Sequence, residues 1–487
     1  MRKILAGFNE PLYGVQATRL IEAACQASIP QPSLMERAGL ASAKLVLAVA
    51  PHAQRIWVAC GPGNNGGDGL EAALHLKQWG KQPLVTWLGH ADTAPADAAS
   101  AYQRAHAAGV QISTQLPDQV DVVLDALLGL GTQLREPSGD LAHAVQRMLA
   151  CAAPVVAIDL PTGLSADSGA VSQLHVKAHH TLCVLTLKPG CFTAQGKDAC
   201  GTVWLDDLGA GELMRPMAAA MPSPDAMLAA APALQARPHA SHKGSFGDVA
   251  IIGGAPGMTG AALLAARAAL YGGAGRVFVS LLDAMHPGVD MSQPELMFRL
   301  VEQLDFSTTT LVCGCGGGAA VAALLPKVLA SASPVVLDAD ALNTLALQPV
   351  LQRLLAKRAA QGQTTVLTPH PLEAARLLAC SAPDIQANRL QAARELCAMF
   401  NCTVVLKGSG TVIASPGHTP VINPTGNAKL ATGGTGDVLA GMVGARLAAG
   451  QNAFHAACHA VYQHGLAADR WPALQPLTAA ALAKHAS

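Results

Sequence analysis

The sequence predicts an α/β protein of two domains, each a mostly parallel sheet covered by helices, and three observations predict it. The chain has 487 residues, more than one core would hold. Short apolar runs alternate with Ala-rich helical patterns, which is the signature of βαβ units. The alternation is interrupted once, from Gly209 to about Arg237, by a text rich in Ala, Pro and Met that reads as a linker with a short helix. The predicted organisation is a first domain over 1–210, a linker over 211–235 and a second domain over 236–487.

Taken in order, the first block carries strand candidates at 56–60, 84–88, 120–125, 154–159 and 181–187. The glycine-rich string after the first of them leads to a helical pattern from about Leu70. The second block carries strands at 249–252, 309–313, 334–338, 364–367 and 402–406, with helices at 260–270 and 436–449. No internal repeat relates the two blocks.

Composition narrows the function classes. Apolar residues make up 51% and charged ones 13%, so the chain has ample surface to bury and is not disordered. Aromatics are 3%, too few for base-stacking platforms. Lys plus Arg equals Asp plus Glu at 32 each, so no basic field exists to hold a phosphate backbone, and nucleic acid is excluded. An anionic ligand must be held locally, by loops and helix ends. The N-terminal MRKILAGFNEPLYG lacks the apolar run of a signal peptide. The most apolar stretch, Leu311 to Pro326, is short and glycine-rich, so no membrane span is expected. The 12 cysteines are scattered; the Cys313–Cys315 pair has no partner pair or spaced histidines and reads as buried small hydrophobes. His179 and His180 read the same way. The expectation is a soluble, cytoplasmic protein.

In the first block, strand 56–60 runs into Gly61-Pro-Gly-Asn-Asn-Gly-Gly-Asp-Gly69. Glycines allow close backbone approach to an anion, and helix-start N–H groups supply donors. The string contains G-x-G-x-x-G, but a dinucleotide fingerprint also wants an acid near the end of the next strand. Here that strand ends Leu88-Gly89-His90, so the fingerprint is incomplete and glycines placed for packing are the plain alternative. Asn64, Asn65 and Asp68 add polar side chains at the same strand end. Asp125 and Asp159 stand at two further strand ends, where acids either cap a turn or line the crevice of a parallel sheet. Asn65, Asp125 and Thr162 form an oxygen-only donor set that suits a hard cation, K+ or Mg2+, rather than zinc.

In the second block, Lys407-Gly-Ser-Gly-Thr411 follows a strand, and Ala431-Thr-Gly-Gly-Thr-Gly-Asp437 opens an apolar helix. Such a helix start cradles phosphate or developing negative charge. Asp437 in its first turn either serves the helix dipole or acts as a base that activates a hydroxyl toward phosphate. No G-x-x-x-x-G-K-[ST] occurs, so this is not a P-loop protein.

The strings PLYGVQATRLIEAACQASIPQPSLMERAG, CGPGNNGGDGLEAALHL, DALLGLGT, AIDLPTGLSADSG and LKPGCFTAQGKDACG, over about 10–207, resemble the epimerase domain of the NAD(P)H-hydrate repair proteins, which is Rossmann-like. That resemblance implies that Asn64, Asn65, Gly66, Gly67 and Asp68, with Gly129, Leu130, Gly131, Thr132, Gln133, Leu134 and Arg135, hold the hydrate. It also implies that Asn65, Asp125 and Thr162 hold K+ and that Asp159 is catalytic.

The strings SHKGSFGDVAIIGGAPGMTGAALLAARAALYGGAGRV, VVLDADAL, VLTPHPLEAARLL, VVLKGSGTVIA and NPTGNAKLATGGTGDVLAG, over about 240–450, resemble the NAD(P)H-hydrate dehydratase domain of the ribokinase-like superfamily. By that resemblance Ala261, Gly318 and His370 bind the hydrate with Asp437, the catalytic base. Lys407, Gly408, Ser409, Gly410, Thr411 and Gly436 bind the nucleotide, ADP entering with Mg2+ and leaving as AMP. Relatives usually show G-P-G-L-G where this chain has Gly314-Cys-Gly-Gly-Gly318, which leaves the placement of Gly318 open. His370, between two prolines, could also simply end a strand.

Together the resemblances imply repair of NADH hydrate and NADPH hydrate: the R and S forms are interconverted and the S form is dehydrated at the expense of ADP. They also imply a homo-oligomer. The alternative is a ribokinase-like small-molecule kinase carrying a non-catalytic N-terminal binding domain.

Overall fold

The computed structural model describes residues 1–28, 31–131, 134–211, 221–233, 238–286 and 288–486. The chain divides into two compact units, one of Met1–Leu5 with Glu10–Ala226 and one of Ala6–Asn9 with Met227–Ser487. Among the described residues no helix is long and apolar enough to cross a membrane.

The sheet of the first unit runs in the spatial order Arg2–Lys3, Thr202–Asp206, His180–Val184, Val155–Ile158, Val122–Ala126, Arg55–Cys60, Gln82–Trp87 and Gln111–Ser113. All neighbours are parallel except the Arg2–Lys3 edge. Burial of both faces explains why the strands read as continuous apolar runs. Ile56, Val58 and Cys60 belong to one core with helices Leu34–Val49 and Asn64–Gln78, while Trp57 and Ala59 belong to another with helix Gly139–Leu149. Strand order reverses between Arg55–Cys60 and Val122–Ala126, and a ligand crevice is expected at the carboxyl ends there.

The expected strand 181–187 stops at Val184, because Leu185 takes a φ of 66° and breaks the ladder. The helix expected from Leu70 begins at Asn64, so most of the glycine string is helical rather than loop. Packing is the reason. A Cβ on Gly66 would lie 2.0 Å from the Gly61 carbonyl oxygen, and one on Gly67 would lie 2.6 Å from the Met35 side chain.

In the second unit the sheet runs Met297–Phe298, Arg276–Leu281, Asp248–Gly253, Thr310–Cys313, Val335–Leu337, Thr365–Leu367, Thr403–Leu406, Val412–Ala414, Val421–Ile422 and Ala226–Leu228. Only Val412–Ala414 is antiparallel to its neighbours. Its order reverses between Asp248–Gly253 and Thr310–Cys313, a second switch point. Helices Thr259–Tyr271, Thr435–Ala448 and Ala453–Arg470 share one core with Val249, Ile251, Val312 and Val366. Of the stretch expected as linker, residues 212–220 and 234–237 lie outside the described residues. Within the described part, Ala226–Leu228 forms a strand parallel to Val421–Ile422.

Candidate functional site

Each switch point carries a cluster of polar and charged side chains. In the first unit it is a cavity of ≈ 980 Å³ whose wall includes Asn64, Asn65, Asp68, Gly129, Leu130, Gly131, Leu134, Arg135 and Asp159. Thr132 and Gln133 lie outside the described residues. Gly66 and Gly67 are buried and do not line the cavity. They bring the helix start close to the strand that precedes it, which sets Asn64 and Asn65 in the first helical turn.

Asp159 follows strand Val155–Ile158 with a φ of 65°, the left-handed region that costs a non-glycine residue energy. Its Oδ1 accepts from Nζ of Lys188, and Lys188 also donates to the Val184 carbonyl at 3.0 Å. Both partners are buried, Lys188 completely. Burial works against the Lys188 ammonium, and the Asp159 carboxylate outweighs it, so the Lys188 pKa is held above its ordinary value. Asp68 is pushed well above the carboxylate range by burial and by the charge of Asp159. Lys188 was legible only as part of LKPGCF, with no spacing to mark its role.

Asp125 and Thr162 are fully buried and meet directly. Oδ1 of Asp125 accepts from the Thr162 hydroxyl at 2.8 Å and from the Leu127 amide at 3.2 Å, and Oδ2 accepts from the Thr162 amide at 2.8 Å. Burial pushes the Asp125 carboxyl up to about 6. Asn65 reaches the loop that follows, its Oδ1 being 2.8 Å from where a Cβ on Gly129 would stand. The Nδ2 of Asn65 is buried without a partner.

The second unit gathers charged groups from four segments. Asp437 sits in the first turn of helix Thr435–Ala448, behind Gly434 at a φ of 90°. Burial and the charge of Asp338 push its carboxyl up to about 6. Asp338, at the end of strand Val335–Leu337, accepts from Lys407 Nζ at 2.5 Å and from Thr368 Oγ1 at 2.8 Å. Glu373 Oε2 stands 4.0 Å from the same Nζ, and Glu373 Oε1 stands 3.3 Å from His370 Nε2. Burial disfavours the Lys407 ammonium, and Asp338 and Glu373 outweigh it, so its pKa is raised.

His370 does cap an element, though it is a helix: its Nδ1 accepts from the amides of Leu372 and Glu373 at the start of Pro371–Leu378. The acceptor role fixes the proton on Nε2, facing Glu373. A Cβ on Gly436 would come within 3.3 Å of Lys407 Nζ, which joins the helix start to the Lys407–Thr411 loop. In that loop Thr411 Oγ1 donates to the Gly408 carbonyl at 3.0 Å. Gly408, at a φ of 135°, packs on the guanidinium of buried Arg389, and Ser409 and Gly410 complete the turn. Gly318 takes a φ of 53° and donates its amide to Asp340 Oδ2 at 2.8 Å, so the departing Gly314–Gly318 loop still forms. Ala261 faces it, its Cβ 2.9 Å from where a Cβ on Gly316 would be.

Asp338, Glu373, Cys315 and His464 are site neighbours that the sequence reading left unassigned. Asp338 was detectable by the strand-end rule that found Asp125 and Asp159. Cys315 is buried as expected, yet beside carboxylates rather than within apolar packing alone. His464 Nε2 meets the Thr435 carbonyl at 2.9 Å and fixes the first turn that carries Asp437.

Residues 249–487 match the family model described as NAD(P)H-hydrate dehydratase, and 31–190 match the one described as YjeF-related protein N-terminus. The chain is similar to the bifunctional NAD(P)H-hydrate repair enzyme of Coxiella burnetii, 36% identical over 469 residues and covering 93% of either chain. It is 35% identical over 446 residues to the Escherichia coli protein of that name, covering 90% of this chain and 84% of the other. The ADP-dependent (S)-NAD(P)H-hydrate dehydratase of Neisseria meningitidis serogroup B is 44% identical over 243 residues, covering 48% of this chain and 80% of the other.

Proposed function

The chain belongs to the bifunctional NAD(P)H-hydrate repair enzymes, and from that premise we propose how its residues divide the work. Water added across the reduced nicotinamide ring leaves a hydroxyl on the carbon next to the ring nitrogen. The first unit interconverts the two configurations of that carbon, and the second removes the hydroxyl from the S form.

In the first unit the hydrate lies along Asn64, Asn65 and Asp68, with Gly129, Leu130, Gly131, Leu134 and Arg135 across the cavity. Arg19 and Arg135 on the cavity wall supply charge for its pyrophosphate. Asp159 moves the hydroxyl proton while a bond of the N,O-acetal opens and recloses, and Lys188 holds its carboxylate in place. K+ would be held by the oxygens of Asp125, Thr162 and Asn65. The unpartnered Nδ2 becomes an oxygen donor if the amide is turned over. The ion would neutralise the buried Asp125 charge and fix the 127–129 loop.

In the second unit Asp437 takes the proton from the substrate hydroxyl, whose oxygen attacks the terminal phosphorus of ADP as the bond to AMP breaks. The ring nitrogen lone pair then expels phosphate, and loss of a proton from the neighbouring ring carbon restores the reduced ring. Amides at the helix start steady the phosphoryl group. Lys407 and the 408–411 turn hold the nucleotide, and Ala261, Gly318 and His370 flank the hydrate. Mg2+ would arrive on the nucleotide and offset phosphate charge. The expected assembly is a homo-oligomer.

The observation that carries this reading is the convergence of Asp437, Lys407, Asp338 and Glu373 at one helix start. The test supplies mixed NADH hydrate epimers, ADP and Mg2+ and follows the absorbance of reduced nicotinamide. Wild type should convert the whole mixture, and Asp437→Asn should leave nearly all of it unconverted in the same time. Asp159→Asn should stop once the S form present at the start is spent, apart from slow spontaneous epimerisation. Nucleotide consumed with a phosphorylated product that persists would overturn the reading in favour of a kinase.

A further inference from the structure

Three ligand atoms from three separate elements meet in the second unit: Sγ of Cys315 and one carboxylate oxygen each of Asp338 and Asp437, all within 4.8 Å of one another. Cys315 is completely buried and Asp338 nearly so. Cys315 is turned inward by its neighbours, since Gly314 and Gly316 take φ values of 118° and 58°. A Cβ on Gly314 would stand 2.0 Å from the Asp338 carbonyl oxygen, so the loop is pressed against the strand end that bears the carboxylate. Asp338 divides its two oxygens. Oδ1 receives Lys407 and Thr368, whereas Oδ2 faces the sulfur at 4.0 Å.

We propose that Cys315, Asp338 and Asp437 form a binding site for a thiophilic divalent metal ion of the Zn2+, Co2+ or Cd2+ class, and that its occupancy inhibits the dehydratase. The inhibitory half rests on Asp437 being the base. A sulfur with two oxygens selects these ions over Mg2+, which prefers an all-oxygen octahedron. Three protein ligands leave a fourth position for water, the usual count of an accessible zinc site. On binding, the thiol gives one proton to solvent and the sulfur bonds the metal, with no change of oxidation state. Thiolate and two carboxylates then carry three negative charges against the single positive charge of Lys407, and a divalent ion cancels the remainder. Because Oδ1 stays with Lys407, the ion can take Oδ2 without breaking that pair. It would hold the Asp437 oxygen that must receive the substrate proton.

The test uses the full chain, reduced and metal-free. Co2+ titrated into it should produce a near-ultraviolet thiolate-to-cobalt absorption that saturates at one ion per chain, and Cys315→Ser should lose that band. Zn2+ should inhibit the wild-type dehydratase, with chelator restoring it. In Cys315→Ser the inhibition constant, measured against that variant's own metal-free rate, should rise at least tenfold. Asp338→Asn, with a neutral ligand of the same shape, should weaken Co2+ binding while keeping some of the band. A band of undiminished size in Cys315→Ser would place the metal on other cysteines and overturn the site, as would its absence from wild type. If the cobalt band behaves as expected but Zn2+ leaves the rate unchanged, the site stands and the inhibition is refuted. The separate activity of Asp437→Asn then says whether the base assignment fails with it.

Discussion

At the scale of single residues, burial pushes a carboxyl up in both sites, and pH should expose it. The Asp437 carboxyl is pushed up to about 6 by burial and Asp338, and a base must be ionised to work. Dehydratase kcat/KM should therefore fall by about tenfold per pH unit below about pH 6, measured on the S hydrate alone. Removing the base in Asp437→Asn should cost on the order of 10²–10⁴ in rate. Asp125 works through stability. Its folded pKa, about 6, is above its ordinary 3.8, so folding takes up a proton. The stability this proton confers is complete below pH about 4 and is lost as pH rises through about 6. K+ bound beside the ionised group would offset that loss. Adding K+ in place of a bulky monovalent cation should thus raise the Tm more at about pH 8 than at about pH 5. An equal shift at both would remove Asp125 from the ion's ligands. Lys188→Met leaves the buried Asp159 without its partner, and should cost about 3–5 kcal/mol in denaturant unfolding together with epimerase activity.

Elements are positioned by small residues rather than by large ones. Helix Thr435–Ala448 delivers Asp437, and it lies against helix Thr259–Tyr271 so closely that a Cβ on Gly441 would fall 2.0 Å from the Ala265 carbonyl oxygen. Gly441→Val should force the two helices apart, costing about 1–3 kcal/mol and lowering dehydratase activity while the epimerase is unchanged. Thermal unfolding and the two assays run on one preparation check it. Gly260→Ala is the control, since a Cβ there meets nothing within 4 Å and should change stability by at most about 1 kcal/mol. The apolar runs made most strands legible, because strands buried on both faces carry no polar alternation to confuse them. Helix starts were harder. Asn64 to Gly69 reads as loop by propensity, since glycine disfavours a helix interior. The close approach of the helix to the strand before it overrides that preference.

For the whole molecule, two active centres on one chain predict separable defects. Asp159→Asn and Asp437→Asn proteins mixed in solution should together convert the full epimer mixture, as neither does alone, because the freed S hydrate can diffuse from one protein to the other. Failure of the mixture, with each variant folded and its remaining activity intact, would mean that substrate does not leave the chain between steps. The α/β class, the family and the acids at the strand ends were legible without coordinates, because these depend on periodicity and on short strings whose chemistry is local. Tertiary structure alone decided the partners. Lys188 lies 29 residues from Asp159 and Lys407 lies 69 from Asp338. Which distant side chain neutralises a buried charge depends on strand order and on how closely the loops pack, and neither is written in the spacing of the residues.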